Sequence, residues 1–252
     1  MVQGNNNANH TCIIQLPAFF SLEYEDDSDD DDIFALVIDP KNVYCYCIYK
    51  ALLSDDPLAN PNKECMLVVI FSDMKELAFI RLGIGNNNGH DLTWTKIQPA
   101  EYFNSDDILF YKDLCYAVTI EGTLRSFDLS DSCVDSTIRE LGHEFPWMYE
   151  GLGHITIKRY LVELCGDIIM IERCMEYFHK VTKNGRTTKF FKVWRYTFDS
   201  NKWIHIRSLG NMALFLGDNS SVSVLATKFN GIQPNCIYFT HDLDGICTQQ
   251  DE

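Results

Sequence analysis

The sequence predicts an all-β protein, a β-propeller built from short antiparallel four-stranded blades. After residue 32, short β-branched and aromatic runs alternate with turn residues, which is typical of many short strands. Two similar units, Asp91–Ile97 and Asp199–Ile206, place Trp94 and Trp203 109 residues apart. That distance is about two blades of the length expected for four-stranded propeller repeats, roughly 40–50 residues. Ile108–Leu129 contains three apolar runs joined by tight turns, which is most of one blade.

We divide the chain into a disordered polar tail (1–11), the propeller (12–245) and a C-terminal tail (246–252). Residues 23–32 are an acidic run within the propeller, and we expect an exposed loop there because like charges at this density repel and stay solvated. Ser28 lies inside this run and is a candidate for phosphorylation by an acidophilic kinase.

The predicted strands follow in order, and turn residues separate them. They are Ile33–Asp39, Val43–Leu53, Met66–Ser72, Leu77–Leu82, Asp107–Tyr111, Cys115–Ile120, Leu124–Leu129, Tyr160–Cys165, Asp167–Arg173, Phe190–Phe198, Trp203–Ser208, Ala213–Leu216, Ser221–Leu225 and Cys236–Thr240. Ala100–Phe103 and Cys133–Leu141 are predicted to be briefly helical or irregular. We interpret Trp94 and Trp203 as packing anchors between blades.

The net charge of −15 makes nucleic acid and anionic membranes poor partners, because phosphate contacts need clustered cations. The charge is uneven: residues 1–150 hold 9 basic and 26 acidic residues, whereas residues 151–252 hold 12 and 10. The polar N-terminus lacks the apolar region of a signal peptide, and no apolar run approaches about 18 residues. We therefore expect a location in the cytoplasm or nucleus and no membrane span.

The ten cysteines are predicted to be mainly buried, reduced thiols. No Cys-x-x-Cys pair occurs, and Cys45 and Cys47 are the only closely spaced pair. In a strand these two side chains point to the same face, which suits packed thiols as well as metal ligands. A disulfide or metal role is the alternative interpretation.

No catalytic, cofactor-binding or metal-binding residue is predicted. The stretch Gly83–Gly89 has the wrong glycine spacing for a phosphate loop and no following Lys-Ser or Lys-Thr. The seven histidines never occur at His-x-x-x-His spacing, and no Gly-x-Ser-x-Gly elbow is present. A site assembled from distant loops is the alternative.

The most suggestive surface feature is Lys180–Arg195, which holds six cations and no acid. Asn184-Gly185 predicts the turn of a β-hairpin. A solvated hairpin is one interpretation, and a contact with the acidic N-terminal half is another. The third is a docking site for an acidic partner segment, with Lys183, Arg186 and Lys189 as its contact residues.

Several motifs, taken in order, resemble one known family. They are Ile14-Gln15-Leu16-Pro17, Tyr160–Ile171, Leu209–Val224 with Ala-Leu-Phe-Leu-Gly and Asn-Ser-Ser, and Pro234–Asp242 with Asn-Cys-Ile-Tyr-Phe-Thr. Together they resemble the KIB-type β-propeller domain that many plant F-box proteins carry after the F-box. The resemblance implies a propeller that presents loops to a protein target, while an F-box docks on a Skp1-type adaptor of a ubiquitin ligase.

The chain enters the family pattern at the Leu16-Pro17 motif, so we expect the F-box and the opening blades to be missing. The expected fold is an incomplete propeller of about four to five blades. The expected function is non-enzymatic protein binding, in its sharper form substrate recognition for an SCF-type E3 ubiquitin ligase. A Skp1-type adaptor is a partner only if an F-box lies upstream. One alternative is a truncated F-box-less paralogue that acts as a decoy or has no function. Another is a propeller enzyme acting on glycans.

Overall fold

The computed structural model describes residues 16, 48–56, 64–72, 74–82, 93–97, 104–131, 134–142, 155–180 and 183–240. Within them, strands β1 to β15 form four sheets. Sheet one contains β1 (Ile48–Leu53), β2 (Cys65–Phe71), β3 (Glu76–Leu82) and β4 (Thr95–Ile97). Sheet two contains β5 (Ser105–Tyr111), β6 (Leu114–Thr119), β7 (Leu124–Phe127) and β8 (Arg139–Leu141). Sheet three contains β9 (Ile155–Leu164), β10 (Asp167–Lys180), β11 (Lys183–Thr197) and β12 (Lys202–Ile206). Sheet four contains β13 (Met212–Leu216), β14 (Val222–Leu225) and β15 (Cys236–Phe239).

Sheets one to three are antiparallel meanders in which the order along the chain is the order in space. Tight two-residue turns reverse the chain within them. Lys112-Asp113 connects β5 to β6 and Cys165-Gly166 connects β9 to β10, each with positive φ at both positions. Positive φ at both residues is the type I′ geometry that matches strand twist. The four sheets are blades of a β-propeller, which confirms the predicted fold.

The fourth sheet departs from the predicted four antiparallel strands. It contains three strands in the order β14-β13-β15, and β13 and β15 run parallel. A short 3-10 turn, Ala226–Lys228, leads the chain from β14 back past β13. Asn235 has φ of +56° and fixes the return, because its N–H donates to Met212 O at 2.8 Å and its Oδ1 accepts from Leu209 N at 2.7 Å.

Three apolar layers hold the successive sheets together. Alternation along β10 shows how, because Ile168 and Met170 face sheet two while Ile169 and Ile171 face sheet four. Sheets one and two meet through a similar layer that includes Phe79. Successive side chains of a strand point to opposite faces of its sheet, so each inner blade contributes side chains to two layers. The core therefore lies between the blades.

The two tryptophans lie two blades apart, and Trp203 is confirmed as a packing anchor between blades, whereas Trp94 contacts its own sheet among the described residues. Trp203 lies in β12, the outer strand of sheet three, and packs in the layer between sheets two and three. Its Nε1 donates to Gly122 O in sheet two at 3.2 Å. Trp94 directly precedes β4, the outer strand of sheet one, and packs on Cys65, Ile80 and Leu82. The prediction of three strands within Ile108–Leu129 is also confirmed.

Two predicted boundaries are wrong in sheet three. β10 and β11 contain 14 and 15 residues, well beyond the predicted Asp167–Arg173 and Phe190–Phe198. Asn184 and Gly185 do not form the turn but lie within β11, paired with His179 and Phe178. The pairing register is continuous from the buried part of the sheet outward, apart from one bulge at Cys174 and Met175, and this register overrides the local turn preference.

Other predictions fall outside the described residues. They concern Ser28, the acidic run 23–32, both tails, the stretch 83–89 and Ala100–Phe103. In Cys133–Leu141, a 3-10 turn at Val134–Thr137 precedes strand β8. Among the helical residues that the structure describes, none belong to a segment with the length and apolarity needed to cross a bilayer. In the same part of the chain, no three His, Cys, Asp or Glu side chains gather where a metal ion could bind.

Cysteine reactivity tests the burial of the thiols. Cys65, Cys115 and Cys174 are buried, whereas Cys165 is exposed in a turn. Burial raises the pKa of the Cys115 thiol because it penalises the thiolate, which is the reactive form. We expect iodoacetamide to label Cys165 at least about tenfold faster than Cys115 in the native protein. Peptide-resolved mass spectrometry measures both rates, and equal labelling under native conditions would contradict the burial.

Candidate protein-interaction surface

Among the described residues, the hairpin of β10 and β11 extends beyond the strands that pair with it on either side. β9 pairs with β10 only as far as Ile155 opposite Glu176. β12 pairs with β11 only as far back as Ile206 opposite Val193. Within the described part of the chain, β11 before Val193 therefore has a strand partner only on its β10 side. In the part of the chain that the structure describes, β10 and β11 are the longest strands, so this segment distinguishes sheet three from the other described sheets.

Buried charges hold the base of this hairpin. Glu172 of β10 is fully buried, and its Oε1 lies 2.8 Å from the guanidinium of Arg159 in β9. Its Oε2 accepts from Trp194 Nε1 of β11 at 3.0 Å. Arg159 also donates to the carbonyl of Ile120 in sheet two. Loss of one partner would leave the other charge buried and uncompensated, so this arrangement fixes the hairpin base against sheet two.

A second buried ion pair joins three blades beside it. Lys50 of β1 donates to Asp107 of β5, and the two residues are only 4% and 2% exposed. Asp107 Oδ2 also accepts from Leu161 N of β9 at 2.8 Å, and its Oδ1 accepts from Ile108 N at 2.8 Å. Burial raises the pKa of Asp107, and Lys50 with the two N–H donors opposes that rise.

One face of the hairpin packs on sheet four. The guanidinium of Arg173 lies 4.6 Å from the ring centroid of Phe239, at the end of β15. The rings of Phe191 and Phe239 have centroids 5.4 Å apart. Arg173 Nε donates to Thr188 Oγ1 at 2.8 Å, which links the two hairpin strands. The hairpin is thus supported from sheets two and four, and such support allows a projecting segment to keep one conformation.

The structure brings the three predicted contact residues onto one strand. Lys183, Arg186 and Lys189 all lie in β11. Lys189 is exposed, with 45% of its side chain accessible, and its Nζ lies 2.5 Å from Glu176 Oε2 of β10. The side chains of Lys183 and Arg186 lie outside the description. Their role as contact residues stays a prediction.

Sequence reasoning missed three parts of this surface. Glu176 precedes the basic stretch by a few residues, and only the strand register places it beside Lys189. Phe190 is 37% exposed, with Lys192 Nζ 5.9 Å from its ring centroid. Phe239 reaches the hairpin because β15 runs parallel to β13, a direction that was not predicted.

The fold and the hairpin define the class: a β-propeller in which the β10–β11 hairpin extends beyond the strands described beside it. A family model described as KIB1-4 beta-propeller matches residues 8–252. The chain belongs to this KIB1-4 β-propeller family.

Its relatives are plant F-box proteins. F-box protein At4g35733 of Arabidopsis thaliana is 29% identical over 161 residues, which is 64% of this chain and 44% of the relative. F-box protein At2g26160 of the same plant is 30% identical over 151 residues, covering 60% and 43%. Putative F-box protein At3g25750 is 31% identical over 151 residues, covering 59% and 38%. The matched regions span less than half the length of these curated relatives.

Proposed function

We propose that this chain is a non-enzymatic protein-binding propeller whose β10–β11 hairpin contacts a protein target. The observation that carries the proposal is the projecting hairpin itself. Its base is held by the buried Arg159–Glu172 pair, while Lys189 and Phe190 near its outer part are exposed. An exposed aromatic ring on a rigid support is typical of protein-interaction surfaces, and a cation beside it can orient an acidic partner.

The sharper form of the proposal is substrate recognition for an SCF-type E3 ubiquitin ligase. The family membership and the names of the F-box relatives support it. Binding to a Skp1-type adaptor is part of the proposal only for a polypeptide in which an F-box precedes this propeller. The cytoplasm or nucleus is the proposed location, which agrees with the free thiols of the described cysteines.

Charge indicates what kind of target the hairpin fits. Lys180–Arg195 holds six cations and no acid in a chain whose net charge is −15. A local patch of opposite sign to the rest of the surface steers an acidic segment toward that patch and disfavours other orientations. The target is therefore proposed to present acidic residues to the hairpin.

Charge reversal on the hairpin tests the proposal. The test uses the triple variant Lys183→Glu, Arg186→Glu and Lys189→Glu. From plant extract, this variant is expected to co-purify at least about tenfold less target than the wild-type chain does. The ion pair of Lys189 is half exposed on both sides and contributes little to stability, so folding is expected to be retained.

The matched control reverses three exposed cations elsewhere: Lys202→Glu, Arg207→Glu and Lys228→Glu. It changes the net charge by the same amount and leaves the hairpin intact, so the control should retain the target. Quantitative mass spectrometry of both purifications measures the difference. Retention of every co-purifying protein by the hairpin variant would refute the proposed docking site.

A further inference from the structure

We propose that the target binds by strand addition: an extended acidic segment pairs with the free edge of β11, directly before Val193. The inference rests on the proposed function, because it assumes that the hairpin is the binding surface. It adds the mode of recognition, which is backbone pairing along β11 in the place that β12 leaves open.

The register shows which backbone groups face the free edge. Leu164 and Asp167 flank the two-residue turn, so this pair exchanges hydrogen bonds across β9 and β10. Alternate residues of β10 then bond toward β11, which makes Glu172 and Lys192 a hydrogen-bonded pair. Val193, the next residue of β11, points its N–H and C=O toward β12, opposite Ile206.

Phe191 lies two residues before Val193 and points its backbone groups the same way. No strand lies opposite it on that side among the residues that the structure describes. An unpaired N–H and C=O in an extended strand form a template for another strand. An incoming strand can therefore pair with β11 at Phe191 in the same register in which β12 pairs with β11 from Val193 onward.

A bulge places one cation at this edge. Cys174 pairs with Phe190 and Met175 with Thr188, so Lys189 is the extra residue of the bulge in β11. Bulges increase strand twist and redirect a side chain, and they are frequent at sheet edges and next to functional sites. Lys189 is exposed here, next to the exposed Phe190. The edge thus combines a free backbone with a cation and an aromatic ring.

These side chains specify the chemistry of the occupant. A second copy of the chain would place the cations of two β11 strands opposite each other, and like charges across a strand pair are destabilising. A segment with acidic residues at alternate positions places carboxylates beside Lys189, and apolar residues between them suit Phe190 and Phe191. The proposed occupant is therefore an extended segment of another protein in which acidic and apolar residues alternate.

Synthetic peptides test the pairing directly. The probe is a fluorescein-labelled peptide of about eight residues with alternating Glu and Val. A second probe has the same sequence with alternate backbone nitrogens methylated, and a third has Lys in place of Glu. Fluorescence anisotropy with the full chain is expected to show binding of the Glu-Val peptide, at least about tenfold weaker binding after N-methylation, and no binding of the Lys-Val peptide. Hydrogen exchange at the Phe191 amide should slow when the Glu-Val peptide binds.

The variants separate this inference from the proposed function. Lys189→Glu is expected to lower the affinity for the Glu-Val peptide about three- to tenfold, while Lys228→Glu leaves this affinity unchanged. Equal affinity of the methylated and unmethylated peptides, or no binding of the Glu-Val peptide, overturns strand addition. If strand addition is overturned but the charge-reversed hairpin variant still loses the cellular target, the proposed function stands and the target binds the hairpin in another way. If charge reversal removes nothing, the proposed function itself fails.

Discussion

Substitution of Lys50 by Met is expected to lower the free energy of unfolding by about 3–5 kcal/mol, because it leaves a buried carboxylate without its cation. Asp107 is 2% exposed and would keep only the N–H groups of Ile108 and Leu161 as donors. Methionine fills a volume similar to the aliphatic stem of lysine, so lost packing contributes little. The lost ion pair dominates the expected change.

The loss should depend on pH in a defined direction. Burial raises the folded-state pKa of Asp107, and the charge of Lys50 is the largest influence that opposes this rise. Without Lys50 the pKa rises further. Between the ordinary carboxyl pKa and the raised folded value, the folded state binds more protons than the unfolded chain, so stability falls as pH rises through that window. The difference between Lys50→Met and wild type should therefore be smaller at about pH 5 than at about pH 8.

Urea unfolding of both proteins measures this difference. Lys96→Met is the control, because Lys96 pairs with Glu76 at 2.7 Å with side chains 37% and 31% exposed, and such pairs contribute about 0–1 kcal/mol. The double variant Lys50→Met, Asp107→Leu removes both charges and should recover part of the loss. A Lys50→Met protein as stable as the control variant would show that the carboxylate is not held by this ion pair.

Replacement of Trp203 by Ala is the second large change, with an expected loss of about 3–5 kcal/mol. Its indole is buried between sheets two and three, its ring centroid lies 5.2 Å from that of Tyr196, and its Nε1 bonds Gly122 O. Removing the ring opens a cavity at a blade boundary. Trp203→Phe keeps most of the packing and loses the hydrogen bond, so we expect a smaller loss of about 1–2 kcal/mol.

The neighbouring residue provides the control for Trp203. Ile204 is 43% exposed on the opposite side of β12, so Ile204→Ala should change stability by less than about 1 kcal/mol. Thermal and denaturant unfolding of the three variants gives the order Trp203→Ala, Trp203→Phe, Ile204→Ala from largest loss to smallest. An equal loss for Trp203→Ala and Ile204→Ala would mean that the tryptophan is not an anchor between blades.

Much of the fold could be predicted because it depends on local patterns. The spacing of Trp94 and Trp203 marks two outer strands, and the apolar alternation of Ile108–Leu129 marks three consecutive strands. Both patterns arise from side chains that pack on the faces of the sheets, Trp203 between two blades and Trp94 on its own sheet. Strand β15 was predicted as Cys236–Thr240, but its parallel pairing with β13 could not be predicted, because that direction depends on how Asn235 bonds Met212 and Leu209, which are distant in sequence.

The candidate surface could be predicted only in part, for a similar reason. The basic residues of Lys180–Arg195 indicated a charged hairpin, and Lys189 does lie exposed on it. The length of β10 and β11 depends on their pairing register, not on the turn preference of Asn184-Gly185. The pairs Lys50–Asp107 and Arg159–Glu172 join residues from different strands, so no sequence spacing reveals them.

The position of Asp107 along the chain matters during synthesis. Its cation, Lys50, lies 57 residues earlier, and the N–H of Leu161 lies 54 residues later. At about 5–20 residues per second, a ribosome needs about 3–11 s to travel from Asp107 to Leu161. Until Leu161 has been synthesised, the carboxylate of Asp107 cannot gain the N–H donor that completes its hydrogen bonds. A polypeptide released by stalling within that interval would expose an unfinished blade boundary to cellular proteases, which gives quality control a way to distinguish it from the complete domain.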